Sequence, residues 1–426
     1  MLKTWASDRR SADLYARQNA AEAWSAWLPE VGQRTWRACF GPWVGSDWTK
    51  VSRHQVGHFF CRQLTTRPAH AHPADEDGPE WRQGAGDGWL LLRGPSNEYW
   101  FDRWVVHLQA AGVEVFCSQS LQSFVFEEGR IQAAILASGE QVRADDYVLA
   151  TNPFAAAEIV ARTPALERLQ PMCRLKALVA EGPHTQISFR IAFARPLAFP
   201  RQRMAVVLAD SEFNITLFAE EQVWREEVPL GERVCSLWTG TTCTGDVPGR
   251  LFGLTASQCS RQQYEEEITA QIFACQSLQA LIREANGGKS LENFPIERIE
   301  VWHEWQFTAD GVKPVQPKWV NTTRTQPHLP DQITQVPNLL MAGAHTRTEM
   351  DLWSIEAAVE SGRRAARAID PRVPLLAQYK PKWLRFLNRL DNLCYRLGCP
   401  HLFDVILGLG LACLLWWFIS LPFGRE

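Results

Sequence analysis

One stretch constrains this chain more than any other: Val336-Pro-Asn-Leu-Leu-Met-Ala-Gly-Ala-His345-Thr, followed by Trp353-Ser-Ile-Glu-Ala-Ala-Val-Glu-Ser-Gly362-Arg-Arg-Ala-Ala-Arg-Ala-Ile369. It reads as strand, tight turn, loop and helix. Leu339–Ala342 is a short apolar run that stops at Gly343, as a strand buried on both faces does. Ser354 stands where an N-cap belongs, and Glu356 puts a negative charge in the first turn. Ile355, Val359, Gly362, Ala366 and Ile369 then recur at helical spacing, flanked by small residues that allow close approach. A strand that delivers a glycine turn toward a helix N-terminus gathers backbone donors, suited to a phosphate or an electron-rich ring edge. A helix packed on a sheet without a ligand fits the same pattern.

These residues, Ala342-Gly-Ala-His-Thr and Trp353 through Ala366, resemble the C-terminal flavin-binding motif of the FAD-dependent amine oxidase and phytoene desaturase superfamily. The resemblance implies FAD as cofactor. It assigns Gly343 and Ala344 to the turn that approaches the ribityl and pyrophosphate, and Ile355 with Ser354 and Glu356 to the flavin ring. Ala344 stands where the family usually has an acidic residue, and Ala357 where it usually has glycine. Farther upstream, Val113–Phe116, Leu121–Phe126, Ile131–Leu136 and Gln141–Leu149 read as strands closing on Val148-Leu-Ala-Thr-Asn-Pro153. They are similar to the family's middle segment, which implies an adenine contact near Leu121. The resemblance covers roughly residues 30–370 and implies no side-chain acid or base.

The implied fold is α/β (α+β): a two-lobed FAD-linked oxidoreductase with a partial FAD-binding domain, a mixed-sheet substrate domain and a C-terminal membrane helix. Residues 1–110 form a helical substrate-side region, 111–160 a partial FAD-binding meander, 161–330 the substrate domain, 331–370 the strand-turn-helix, and 380–426 a membrane-associated segment. Within 1–66, Trp24, Trp27, Leu28 and Val31 fall on one helical stripe, and Val56–Leu64 is a second apolar segment. Trp100, Trp104, Val105 and Leu108 stripe a helix ending near Gly112. Gln186–Phe193 and Met204–Leu208 alternate as strands, and Tyr264–Arg283 is an amphipathic helix.

The family's N-terminal strand, G-x-G-x-x-G turn and helix are not recognisable here. Gly84-Ala-Gly86-Asp-Gly88 has neither a buried strand before it nor a helix after it. The missing half is expected either from a separate nucleotide-binding subunit or not at all, the latter making the chain a non-catalytic membrane-tethered partner. Eleven cysteines without a CxxC pair, and no recognisable signal peptide, imply a reducing compartment. No metal is expected, and His70-Ala-His72 reads as part of a solvated loop. A net charge of -3 over 426 residues gives no electrostatic case for nucleic acid.

Near the end, Trp383, Phe386, Leu387, Leu390, Leu393, Cys394 and Leu397 share one helical face with Lys382, Arg385, Arg389 and Arg396 beside it, the make-up of an interfacial membrane helix. Val405–Phe423 carries no charge and is long enough to cross a bilayer once, with the basic residues before it placing the body on the cytoplasmic side. Nineteen tryptophans, many in the first quarter, suit an apolar substrate cavity or a membrane-facing surface. The resemblance then implies hydride removal from an isoprenoid or lipid-like small molecule.

Overall fold

The computed structural model describes residues 2–65, 92–199, 205–222, 224, 227–378 and 380–420. His70, His72 and the Gly84–Gly88 stretch lie outside the described residues.

The N-terminal region is helical. Helix α1 (Glu30–Val44) and helix α2 (Arg53–Thr65) pack around Phe40, Trp48 and Val56. The stripe expected over Trp24–Val31 is broken, because the helix Ala20–Trp24 ends in a single tighter turn and Pro29 separates it from α1. Trp24 and Leu28 reach the core, whereas Trp27 and Val31 are exposed.

Helix α3 (Asp102–Ala110) follows, and its expected apolar stripe is left uncovered: Trp100 and Trp104 are exposed. The strand expected at Val113–Phe116 does not form, since no partner chain segment pairs with it among the described residues. Strands β1 (Leu121–Glu127) and β2 (Arg130–Leu136) form an antiparallel hairpin, joined by β3 (Gln141–Val142). Glu128 and Gly129 both take positive φ at its turn, which matches the right-handed twist of the strands. The single strand expected over 141–149 is split, because β4 (Tyr147–Leu149) leaves the meander to pair elsewhere. Helix α4 (Pro153–Ala161) is capped by Asn152, which accepts from Phe154 N–H.

A five-stranded sheet, in the region expected to be the substrate side, comprises β5 (Ser188–Phe193), β6 (Ala205–Val207), β7 (Ile215–Phe218), β8 (Ser236–Thr242) and β9 (Ile296–Val301), in the order β6-β7-β8-β5-β9. All its pairings are antiparallel, so it is not the mixed sheet expected. The helix expected over Tyr264–Arg283 is two: α5 (Arg261–Ala274) and α6 (Gln276–Ala285), separated by extended Cys275. A hairpin of β10 (Trp305–Thr308) and β11 (Gly311–Pro314) extends this part, whose core holds fully buried Trp238, Tyr264 and Phe189.

Strand β12 (Leu339–Met341), buried throughout, runs parallel to β4. Asn338 ties this pair to the meander: its Oδ1 accepts from Ile131 N–H at 3.0 Å and its Nδ2 donates to Ile131 O at 2.8 Å. Helix α7 (Ile355–Ile369), helix α8 (Lys382–Arg396) and helix α9 (Leu402–Ser420) complete the chain. Among the described residues no helix is long and apolar enough to cross a membrane. The expected span is corrected accordingly. Its helix begins at Leu402 with Asp404 in its first turn, ion-paired to Lys3, and residues 421–423 lie outside the described residues. Helix α8 keeps the two-sided pattern expected of it. Its polar side faces the body, with Asn388 Nδ2 donating to Trp5 O and Asp391 paired with Arg10, while Trp383, Phe386, Leu393 and Leu397 face outward.

Candidate functional site

The site starts from the end of β12. Gly343 has φ +130°, and a β-carbon there would lie 2.7 Å from the His345 ring; only glycine fits without a shift. Its N–H donates to Ser361 Oγ at 3.0 Å, and Thr346 Oγ1 donates to its carbonyl at 2.8 Å. Thr346 and Ser361 hydroxyls meet at 2.7 Å, so the turn is fastened directly to the middle of α7. Ala344 is half-buried beside it.

At the far end of the loop Ser354 is extended, and its hydroxyl accepts from Ala357 N–H at 3.2 Å, the cap its position predicts. The N–H groups of Ile355 and Glu356, the first two of the helix, have no intrahelical acceptor, and both side chains are exposed. The loop itself is pinned by buried Glu360, which accepts from Glu349 N–H and Met350 N–H at 2.7 and 3.0 Å and pairs with Arg364. Five of the predicted residues therefore belong to one strand-turn-helix unit: Gly343 and Ala344 at its turn, Ser354, Ile355 and Glu356 at its helix start. Leu121 stands apart, first in β1, packed against the core that also holds Leu339 and Met341.

Whether FAD suits these residues is tested by His345. Its ring lies against Gly343, it is 1% exposed, and its Nε2 has no hydrogen-bond partner. Burial lowers its pKa to about 4, so the ring is neutral near pH 7 and can donate or accept one bond. A buried, unsatisfied nitrogen beside a glycine turn suits a hydroxylated or phosphorylated group laid along that turn. Together with the open donors at Ile355 and Glu356, the residues fit the cofactor.

A cleft of about 1010 Å³ lies between the N-terminal helices and the substrate-side sheet, lined by residues that include Lys50, His184, Cys243 and Arg324. Behind its wall Lys318 lies against Gly45, and burial pushes its pKa down to about 8. Burial, then Lys50 and Lys318, lower His184 to about 4. Burial raises the Cys243 thiol to about 11. The next residue, buried Trp319, packs edge-on against Trp353 at 5.0 Å, which connects this wall to the start of α7.

Residues 101–370 match the family of flavin-containing amine oxidoreductases. The chain belongs to that family. Its cofactor is FAD and its class is FAD-dependent oxidoreductase. Among solved structures the chain is similar to cyclohexylamine oxidase from Brevibacterium oxydans, with TM-score 0.49 and 15% identity over 86% of this chain and 72% of that one. An oxidoreductase from Methanosarcina mazei gives 0.47 and 11% over 81% and 66%, and a protein from Pyrococcus furiosus 0.47 and 10% over 89% and 74%. The chain thus spans about two thirds to three quarters of the length of these structures. No curated protein sequence matches it.

Sequence reading found the turn and the cap but missed His345, Ser361 and Glu360, which hold them, and Lys318. His345 lay inside the motif itself. Lys318 carried no local signal, because its lowered pKa arises from burial that only the fold creates.

Proposed function

We propose that this flavin-containing amine oxidoreductase family member dehydrogenates an isoprenoid or lipid-like substrate while attached to a membrane surface. When bound, FAD supplies the hydride acceptor. The chain's own residues would hold it: the donors at Ile355 and Glu356 would meet the flavin ring, and Gly343 would admit close approach. The cleft supports a refinement of the substrate. Lys50 and Arg324 at its wall, paired with Asp246 and Glu181, suit a polar head on the substrate.

The single observation that carries the reading is the Gly343–Ser361 fastening, which fixes the glycine turn and the capped helix start as one rigid unit. Membrane attachment is supported by the outward apolar face of α8 with exposed Lys382, Arg385, Arg389 and Arg396 beside it. Such a face suits anionic lipid, as on a cytoplasmic leaflet. The test is binding of free FAD to the purified full chain, followed by flavin bleaching when isoprenoid alcohols or their phosphates are added. Bleaching by short amines and by no lipid would refute the substrate reading.

A second reading is that another polypeptide supplies the nucleotide-binding half. It is supported by β4, which pairs only with β12 among the described residues and leaves Val148 exposed; parallel sheets are ordinarily covered. The chain alone would then be flavin-poor and gain FAD only with that partner.

A further inference from the structure

We propose that His54, His58 and Asp351 form a binding site for a divalent transition-metal ion of the zinc class. His54 and His58 lie one turn apart on α2 and so share a face, and the loop before α7 brings Asp351 to them. One ligand atom from each residue lies within 4.8 Å of the others. His54 Nε2 is 2.6 Å from Asp351 Oδ2, and the two imidazole rings are 4.3 Å apart.

The positions that would not touch the ion are already held. Ser11 Oγ, itself fully buried, is 2.8 Å from His54 Nδ1. A hydroxyl can accept from the Nδ1–H that a metal-bound imidazole presents, so it fixes the ring either way. Gln326 Nε2 donates to Asp351 Oδ1 at 2.8 Å, and Gln55 Nε2 donates to Asp351 O at 3.0 Å. These bonds aim the remaining carboxylate oxygen at the histidines.

A plain ion pair needs only His54 and Asp351. The second imidazole, one turn on and 4.3 Å from the first, brings a third ligand atom within reach of the same point. An ion at that point would draw on both rings and the carboxylate together. Three protein ligands leave one tetrahedral position for water, and His58 and Asp351 are partly exposed, which gives a way in. The ion would fasten α2, the 322–328 segment and the loop into α7 at one point. The site does not depend on the flavin reading.

The experiment uses the full chain stripped with a chelator and titrated with Co2+ as probe, with Zn2+ displacement. We expect one equivalent, with ligand-field absorption and no thiolate charge-transfer band, which separates the site from the eleven cysteines. His58→Ala retains the His54–Asp351 pair and therefore its fold, checked by circular dichroism. It should weaken Co2+ binding at least about tenfold, as should Asp351→Asn. Zn2+ should raise the melting temperature of the wild type and not of His58→Ala. Failure of the wild type to take up Co2+ at micromolar concentration, or equal uptake by His58→Ala, overturns the proposal.

Discussion

The five-stranded sheet, proposed as the substrate side, and the β12–α7 unit, proposed to face the flavin, solve the burial problem differently. In the former, β5 sits between β8 and β9, and Phe189, Ile191, Phe193 and Trp238 are sealed beneath α5 and α6. In the latter, β12 is buried but among the described residues its only ladder partner is three-residue β4, and Val106, Val113 and Phe116, just before the meander in sequence, are exposed. One region is complete in itself; the other presents apolar surface and an open strand edge. Stability and cofactor binding should therefore respond to substitution in separate places.

The largest expected effect is Trp238→Ala. Trp238 is fully buried and meets Phe193 and Phe199 edge-on. Its truncation should cost about 3–5 kcal/mol by denaturant titration. A loss below about 1 kcal/mol would break the claim that this sheet carries the stability.

On the other side, Gly343→Val should cut FAD binding at least about tenfold, about 1.4 kcal/mol, while the substrate-side core stays folded. The reason is local: the new side chain meets His345 and requires positive φ. Wild-type FAD affinity in that variant would refute the assignment of the turn.

Acid should then sharpen the contrast. His345 and His184 have folded pKa values near 4 against 6.5 unfolded. Below 6.5 the unfolded chain binds more protons, so stability is lost as pH falls from about 6.5 toward 4. Melting temperature followed over that window should fall, and His345→Gln should flatten part of the fall. An unchanged slope in that variant would place the titration elsewhere.

Legibility in the sequence followed the same division. Gly343, Ser354 and the α7 periodicity were readable because turn, cap and spacing are local. Strands β1, β2 and β5 were readable from alternation and turn residues. What failed depended on partners distant in sequence: Val113–Phe116 has strand composition but no neighbour to pair with, and β4 leaves its meander for a strand about 190 residues later. The apolar stripe of α8 was legible, whereas the contacts that turn its other side inward, through buried Asn388 and Asp391, come from the distant N-terminus. The sequence reading passed over His54 and His58, because Asp351 reaches them only through the fold.

The smallest expected effect concerns Val106, exposed on α3. In the isolated chain Val106→Ser removes no buried surface and should shift stability by no more than about 0.5 kcal/mol. If the apolar surface of α3 and 113–116 is where a nucleotide-binding partner docks, the same substitution should weaken partner-dependent FAD loading severalfold, because it would strip a methyl pair from a covered interface. The measurement is flavin incorporated per chain, with and without the candidate partner, at equal concentrations of wild type and variant. Equal loading of both with the partner present would remove α3 from the interface and leave the open edge of β4 as the region to substitute next.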